Sequence, residues 1–308
     1  MRIIFMGTPE FAIPSLEILL ANNIEITSAV TVPDKPSGRG QQISQSAVKK
    51  FAVHRGLDVL QPDSLKDPAF AEACRKLRPD LMVVVAFRIL PPSIYTIPRL
   101  GAFNLHASLL PKYRGAAPIN RAIMAGERES GVTTFFLGER VDTGGIILQA
   151  RTPIGEDMTA GELHDTLAEI GAEIVLHTAR RIEQGKVVPK PQDDASASGA
   201  PKIFKEECRI NWTQSFDVVH NFIRGLSPSP CAYTFHQGTM LRTFRSRKSD
   251  AAHSQRPGAI LECERRLIVA ASGGAIELLE LQQEGRKRLD VAEFLKGYRM
   301  KAGEFLEE

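Results

Sequence analysis

The sequence places an asparagine and a histidine two residues apart in "FNLHASLLPKYRGAAP", residues 103–118. If residues 101–106 form a strand, Asn104 and His106 share one face while their apolar neighbours take the other. An asparagine NH2 group can stabilise a carbonyl oxygen that becomes negative, and a histidine can change its charge near neutral pH. The pair therefore suits acyl transfer. The alternative is a strand end at which Asn104 caps a turn and His106 is hydrogen-bonded and inert.

A third polar group follows in "ERVDTGGIILQ", residues 139–149. Asp142 stands there in a tight, glycine-containing turn between two strand-like runs, from which it could orient His106 or manage protons. The alternative is an ordinary turn aspartate, since Asp is common before Gly in turns. The seven histidines show neither HxxxH nor HExxH spacing, so the sequence indicates no metal site.

Two other glycine-containing turns lack the fingerprints of common nucleotide cofactors. The turn at 5–14 has one glycine where a dinucleotide fingerprint needs three, so we expect neither a nicotinamide nor a flavin. The loop at 33–42, "PDKPSGRGQQ", lacks the GxxxxGK[ST] pattern of ATP sites. This loop carries Lys35 and Arg39, and it is either a solvated connector or a lid that meets an anionic partner.

The elements that must position these residues follow an alternating α/β pattern in the first half of the chain. The run "LMVVVAF" is apolar throughout, which matches a parallel strand covered on both faces, so we expect a doubly wound, mostly parallel sheet. Binding sites of such sheets lie outside the carboxyl ends of the strands. Strands are predicted at 2–6, 25–32, 81–87 and 101–106, and helices near 11–21, 44–56, 67–78 and 159–185, the last with Thr159 and Glu162 spaced as a capping box.

The pattern changes after a segment rich in Pro, Ser, Ala and Asp, which reads as a linker. A helix over 215–226, with Ser215 as its N-cap, precedes several short strand-like runs that suggest a small OB-like β-barrel. The predicted organisation is a catalytic domain over 1–186, a linker over 187–201 and a C-terminal domain over 202–308.

Composition agrees with a folded, two-domain protein. The 308 residues exceed what one hydrophobic core usually organises, and 43% hydrophobic with 24% charged residues is not a disordered composition. The four cysteines lie far apart without a CxxC pair, which favours a reducing compartment. The N-terminus lacks a signal-peptide pattern, and no apolar run is long enough to span a bilayer. We therefore expect a soluble, cytoplasmic protein without membrane contact.

Positive charge is concentrated in the C-terminal part. Residues 201–308 carry 17 Lys and Arg against 14 Asp and Glu, which accounts for the whole net charge of +3. The densest cluster is "RTFRSRK", residues 242–248. It could line a nucleic-acid backbone, or it could be a solvated edge strand that carries protective charges.

Taken together, these segments resemble the folate-dependent formyltransferases over nearly the whole chain, and most closely the members that act on methionyl-tRNA. The opening "RIIFMGTPEFAIPSL", the central "NLHASLLPKYRGAAPINRAI" and the turn "VDTGGIILQ" are each similar to signature segments of that family. Two C-terminal segments, 202–212 and 284–304, are similar to the additional domain of the tRNA-specific members. The chain departs from the family at Gln41 and Gln42, where lysines are common.

The resemblance implies a role for each matching position. Asn104, His106 and Asp142 would form the catalytic triad, and initiator methionyl-tRNA would be positioned by the C-terminal domain. The formyl donor would be 10-formyltetrahydrofolate, leaving tetrahydrofolate, and the enzyme would act as a monomer. Sugar-nucleotide N-formylation, or non-catalytic binding of RNA or folate, are the alternatives. The folate site would be lined by Ser108, Leu109, Leu110 and Pro111, and the tRNA would be contacted by Lys35, Arg39, Lys202 and Lys205.

Overall fold

The structure, a computed structural model, describes residues 1–37 and 42–307, and within them the chain divides into two compact units. Each unit is made of three separate segments of the sequence, whereas each predicted domain was one continuous range. The boundaries 1–186, 187–201 and 202–308 stay a prediction. No helix in the described part of the chain is both long and apolar enough to span a membrane. The first unit comprises Met1–Gly115, Gly131–Thr152 and His164–Gly199, and the second comprises Ala116–Ser130, Pro153–Leu163 and Ala200–Glu308.

Strands and helices alternate through the first unit, and strands dominate the second. The strands are β1 (Arg2–Gly7), β2 (Glu25–Val30), β3 (Lys35–Ser37), β4 (Gln42–Ser44), β5 (Val59–Leu60), β6 (Leu81–Val85), β7 (Ala102–His106), β8 (Arg114–Gly115), β9 (Glu129–Phe136), β10 (Ile146–Pro153), β11 (Gly199–Ala200), β12 (Ala232–His236), β13 (Thr239–Ser249), β14 (Ile260–Glu262), β15 (Leu267–Ala271), β16 (Gly274–Gln283) and β17 (Arg288–Asp290). The helices are α1 (Ile13–Ala21), α2 (Ala47–His54), α3 (Pro68–Lys76), α4 (Pro92–Tyr95), α5 (Pro118–Met124), α6 (Ala160–Glu183), α7 (Phe216–Leu226) and α8 (Val291–Gly297). Short 3₁₀ turns lie at Glu10–Ala12, Asp194–Ser196 and Lys205–Cys208.

The first unit is built on a seven-stranded sheet with the strand order β10-β9-β7-β6-β1-β2-β5. The pairs from β5 through β7 run parallel, and β9 pairs antiparallel with β7. All five residues of β6 are buried, because helices cover both faces of a sheet of this kind. The predicted doubly wound α/β fold is confirmed. The four strands predicted from apolar runs all exist, and β7 ends at His106 as the Asn104 and His106 spacing required.

Two helix starts follow the capping rules that the sequence indicated. At the start of α6 the Glu162 amide donates to Thr159 Oγ1 at 3.3 Å, and the Thr159 amide donates to Glu162 Oε2 at 2.8 Å. At the start of α7 the Ser215 hydroxyl accepts from the Val218 amide. Each cap satisfies backbone donors that a helix leaves unpaired in its first turn.

The second unit is an antiparallel β domain, as expected. Its sheet has the order β12-β13-β16-β15-β14, with β17 paired to β16. The core of the unit contains the buried Trp212, whose indole Nε1–H donates to Thr234 Oγ1 at 3.1 Å, and side chains of α7 and α8 pack into it. Helix α5 belongs to this unit as well and packs on α7, where Asn120 donates to the Gly225 carbonyl at 2.8 Å.

The basic cluster 242–248 lies on β13, which is bordered by β12 and β16. Strand β16 pairs with β13 from Leu241 to Ser249, whereas β12 pairs only with residues 239–243. The edge-strand interpretation is therefore wrong for Arg242 and Thr243 alone, which have a paired strand on each side. Several cations of the cluster are already matched by carboxylates of the same unit, which reduces their availability to phosphates. These ion pairs join Arg245 to Glu162, Arg247 to Glu277, and Lys248 to Glu156 and Asp217.

Candidate active site

Asn104 and His106 stand at the carboxyl end of β7, in the middle of the mixed sheet. Asn104 pairs through its backbone with Val84 on one side and Phe135 on the other, so its position is fixed by two strands. Its side chain is half-buried and makes no hydrogen bond with the residues that the structure describes. The Asn104 NH2 group can therefore donate to a substrate without breaking an existing contact.

His106 is buried, with 6% of its surface exposed, and its Nε2 lies 2.8 Å from the Tyr113 carbonyl oxygen. Because a carbonyl oxygen only accepts hydrogen bonds, this contact assigns the proton of neutral His106 to Nε2. Nδ1 is then the nitrogen that gains or loses a proton. Tyr113 holds its carbonyl in place with a φ of 60°, a left-handed conformation that is rare for a bulky residue. Such backbone strain is typical of functional sites.

Asp142 lies in the turn between β9 and β10, where the sequence placed it. Its Oδ2 is 3.9 Å from His106 Nδ1, close enough for an ionic interaction but too far for a direct hydrogen bond. The same oxygen accepts the Gly115 amide at 2.9 Å, which holds the carboxylate beside the histidine. The Asp142 backbone has a φ of 55°, a conformation that aspartate tolerates better than most residues.

The loop after β7 contains the predicted folate-lining residues. Ser108 and Leu110 are buried, and the Ser108 hydroxyl donates to the Lys112 carbonyl at 2.7 Å, so both shape the loop from inside. Leu109 and Pro111 are half-buried and offer apolar surface. Thr133 supports the loop, because its hydroxyl donates to the Ser108 carbonyl at 2.7 Å and accepts the Leu110 amide at 3.1 Å.

The predicted tRNA-contacting residues fall in both units. Lys35 is exposed on β3, whereas Arg39 and Gln41 lie outside the described residues. Lys202 and Lys205 are exposed in the second unit, and Lys202 Nζ lies 5.4 Å from the centre of the Phe204 ring, itself 56% exposed. An exposed cation beside an exposed aromatic ring can contact both a phosphate and a base of single-stranded nucleic acid.

Sequence reasoning missed the groups that hold the triad in place. The Tyr113 carbonyl and the Gly115 amide act on His106 and Asp142, which lie 7 and 27 positions away. Backbone groups leave no signal in a sequence, since every residue carries them. Only the residue types around 113–115, a basic residue and a glycine after the polar pair, hinted that this segment is special.

Two family models match this chain. The formyl transferase model matches residues 1–179, and the model of the formyl transferase C-terminal domain matches residues 202–299. The first match includes every residue of the site described above, and the second includes Lys202 and Lys205.

Curated relatives match over nearly their full length. A methionyl-tRNA formyltransferase of Chlorobium phaeovibrioides is 48% identical over 309 residues, which cover 98% of this chain and 97% of the relative. The methionyl-tRNA formyltransferase of Porphyromonas gingivalis is 43% identical over 318 residues, covering 100% of this chain and 98% of the relative.

Solved structures share the fold at low identity. HypX from Aquifex aeolicus in complex with tetrahydrofolic acid superimposes with a TM-score of 0.68 at 20% identity, covering 100% of this chain and 51% of that one. An N-formyltransferase from Helicobacter canadensis, in complex with folinic acid and dTDP-3-aminofucose, gives a TM-score of 0.69 at 22% identity and covers 91% of this chain and 98% of that one.

Proposed function

Because this chain belongs to the formyl transferase family, we propose that it transfers the formyl group of 10-formyltetrahydrofolate to the α-amine of methionine on initiator tRNA. The observation that carries this proposal is the 48% identity, over 98% of this chain and 97% of the relative, to a methionyl-tRNA formyltransferase. The product would be formylmethionyl-tRNA for translation initiation. We further propose that the enzyme acts as a monomer in the cytoplasm.

The residues at the end of β7 fit this chemistry. Attack of a neutral amine on a formyl carbon turns the formyl oxygen into an oxyanion, and such charge is best stabilised by a donor already in position. The Asn104 NH2 group, free of other hydrogen bonds in the described chain, supplies that donor. The apolar surface of Leu109 and Pro111 suits a flat, conjugated ring system, as the folate proposal requires.

His106 and Asp142 would handle the protons. With Nε2 committed to the Tyr113 carbonyl, a proton taken up by His106 goes to Nδ1, 3.9 Å from the Asp142 carboxylate. A protonated His106 is a second donor for the oxyanion, and Asp142 keeps its ring oriented. Asp142 also accepts the amine proton, directly or through one water. The reaction forms the amine nitrogen to formyl carbon bond, breaks the bond from that carbon to the folate nitrogen, and returns a proton to the leaving nitrogen.

The test is transfer of labelled formyl from 10-formyltetrahydrofolate to three amines: methionine-charged initiator tRNA, elongator methionyl-tRNA and an amino-sugar nucleotide. His106→Ala should abolish transfer. His54→Ala removes an exposed histidine of α2 and serves as the matched control with unchanged transfer. Transfer to the sugar alone would contradict the proposed substrate, and transfer by His106→Ala at the wild-type rate would contradict the proposed site.

A further inference from the structure

One side chain of the predicted linker reaches into the active site. Gln192 is half-buried, whereas its neighbours Pro191 and Asp193 are exposed. Its Nε2 donates to the Asp142 carbonyl and to the Gly144 carbonyl, both at 2.9 Å. Both N–H groups of the amide are thereby used on residues 142–144, hereafter the Asp142 turn.

The oxygen of the Gln192 amide also accepts two hydrogen bonds. Gln192 Oε1 accepts from Arg114 Nε at 3.0 Å and from Arg114 Nη2 at 2.7 Å. Because a guanidinium can only donate, the oxygen must face Arg114 and the NH2 group must face the turn, so the amide orientation is fixed. Arg114 is itself held by Asp194, whose Oδ1 lies 2.8 Å from Nη2. The Arg114 guanidinium in turn holds the pKa of the Asp194 carboxyl below its usual value.

The Asp142 turn has an unusual backbone conformation and lies beside the proton-handling groups. Asp142 adopts a left-handed φ of 55°, and the backbone at Gly144 packs so closely on β9 that a Cβ there would lie 1.7 Å from the Phe136 carbonyl oxygen. Residues 113–115 contact both proton-handling groups: Tyr113 binds His106, and Gly115 binds the Asp142 carboxylate. Gln192 links this same segment, through Arg114, to the backbone of Asp142.

We infer that Gln192 is a positioning residue for formyl transfer, which sets the place of the Asp142 carboxylate by clamping the Asp142 turn to Arg114. The inference rests on the proposed function, since it assigns Gln192 to the reaction in which Asp142 takes part. Gln192 acts through Asp142 and touches neither reactant. Its loss therefore lowers the rate of the chemical step and leaves folate binding intact.

Gln192→Glu separates the two halves of the clamp. The variant keeps the size of the side chain and its oxygen toward Arg114, but it places a carboxylate oxygen against the Asp142 and Gly144 carbonyls, where the repulsion pushes the turn away. A displacement of about 1 Å can cost about a hundredfold in rate, and we expect kcat to fall by about that factor. The KM for 10-formyltetrahydrofolate should stay unchanged. Gln184→Glu makes the same chemical change at an exposed position after α6 and is the matched control.

Two readouts separate the outcomes. The first is the split between kcat and KM with methionyl-tRNA as acceptor, and the second is amide hydrogen exchange in a peptide spanning residues 140–146, which needs no activity. A lower kcat with faster exchange supports the inference. Wild-type kcat in Gln192→Glu overturns the positioning role while the proposed function stands. If the wild-type enzyme transfers no formyl group to methionyl-tRNA, the proposed function is wrong. If, in addition, amide exchange in residues 140–146 is the same in Gln192→Glu as in wild type, the clamp is overturned too.

Discussion

We expect the Asn104 side chain to contribute to the rate of formyl transfer but little to the stability of the fold. Because its amide is half-buried and makes no hydrogen bond in the described chain, removing it should disturb the fold little. The loss of one oxyanion donor costs about 10²–10³ in kcat, so we expect Asn104→Ala and Asn104→Asp to lose about a hundredfold or more in single-turnover transfer. Thermal unfolding of both variants should match wild type. A normal rate in Asn104→Asp, which has the same size but no NH2 group, would remove Asn104 from the mechanism.

We expect the buried His220 to make the stability of the second unit depend on pH. The ring is fully buried, with Nδ1 3.0 Å from Ser246 Oγ and Nε2 donating to the Glu156 carbonyl, and burial lowers its pKa below the ordinary 6.5. The unfolded chain then takes up a proton at a higher pH than the folded chain does. The free energy of unfolding should therefore fall as the pH decreases below 6.5, by at most about 1.4 kcal/mol per pH unit, and should level off once the folded His220 titrates.

Urea unfolding at several pH values between about 5 and 8 checks this, since histidine titrates in that window. In His220→Gln the dependence on pH should weaken, although the variant is less stable overall. His54→Gln, at an exposed site, should keep the wild-type dependence. Parallel curves for wild type and His220→Gln would show that another group is responsible.

At the scale of the elements, the connection from β9 to β10 depends on glycine at one position. A Cβ at Gly144 would lie 1.7 Å from the Phe136 carbonyl oxygen, whereas a Cβ at Gly138, in the same connection, has nothing within 4 Å. Gly144→Ala should therefore lower the free energy of unfolding by about 2 kcal/mol and reduce transfer, because the chain must shift next to Asp142. Gly138→Ala should change neither. The measurements are urea unfolding and formyl transfer, and equal behaviour of the two variants would rule out the steric argument.

Local patterns predicted the elements well where the signal is local. The capping pair Thr159 and Glu162, the Ser215 cap and the apolar run of β6 each follow from spacing and side-chain chemistry within a few residues. The place of Asn104 and His106 at a strand end followed from alternation. The ion pairs of β13 could not be predicted in this way. Arg245 binds the carboxylate of Glu162, which lies 83 positions away, and no spacing rule relates the two residues. The predicted linker likewise concealed Gln192, since a Pro- and Ser-rich segment carries no periodicity to mark one inward-facing side chain.

At the scale of the whole molecule, the net charge of +3 says little about which cations meet tRNA. Arg247 is paired with Glu277 at 2.9 Å, whereas Lys202 and Lys205 are exposed without a carboxylate partner among the described residues. Lys202→Ala and Lys205→Ala should therefore weaken tRNA binding and each reduce the slope of log Kd against log salt by about 1. Arg247→Ala should have a smaller effect. The measurement is filter binding of tRNA over a range of salt concentrations. A larger loss of affinity in Arg247→Ala than in the two lysine variants would contradict the assignment of tRNA contact to Lys202 and Lys205.

The interleaving of the two units also restricts how this gene can be recombined. Two stretches of the second unit, 116–130 and 153–163, are encoded before the first unit is finished. A crossover within the codons for 187–201 would exchange β12 to β17 but leave behind α5, which packs on α7. A chimaera made by swapping one continuous C-terminal piece would therefore inherit a mismatched helix pair. Successful exchange between relatives requires either similar residues in α5 and α7 or the transfer of all three segments together.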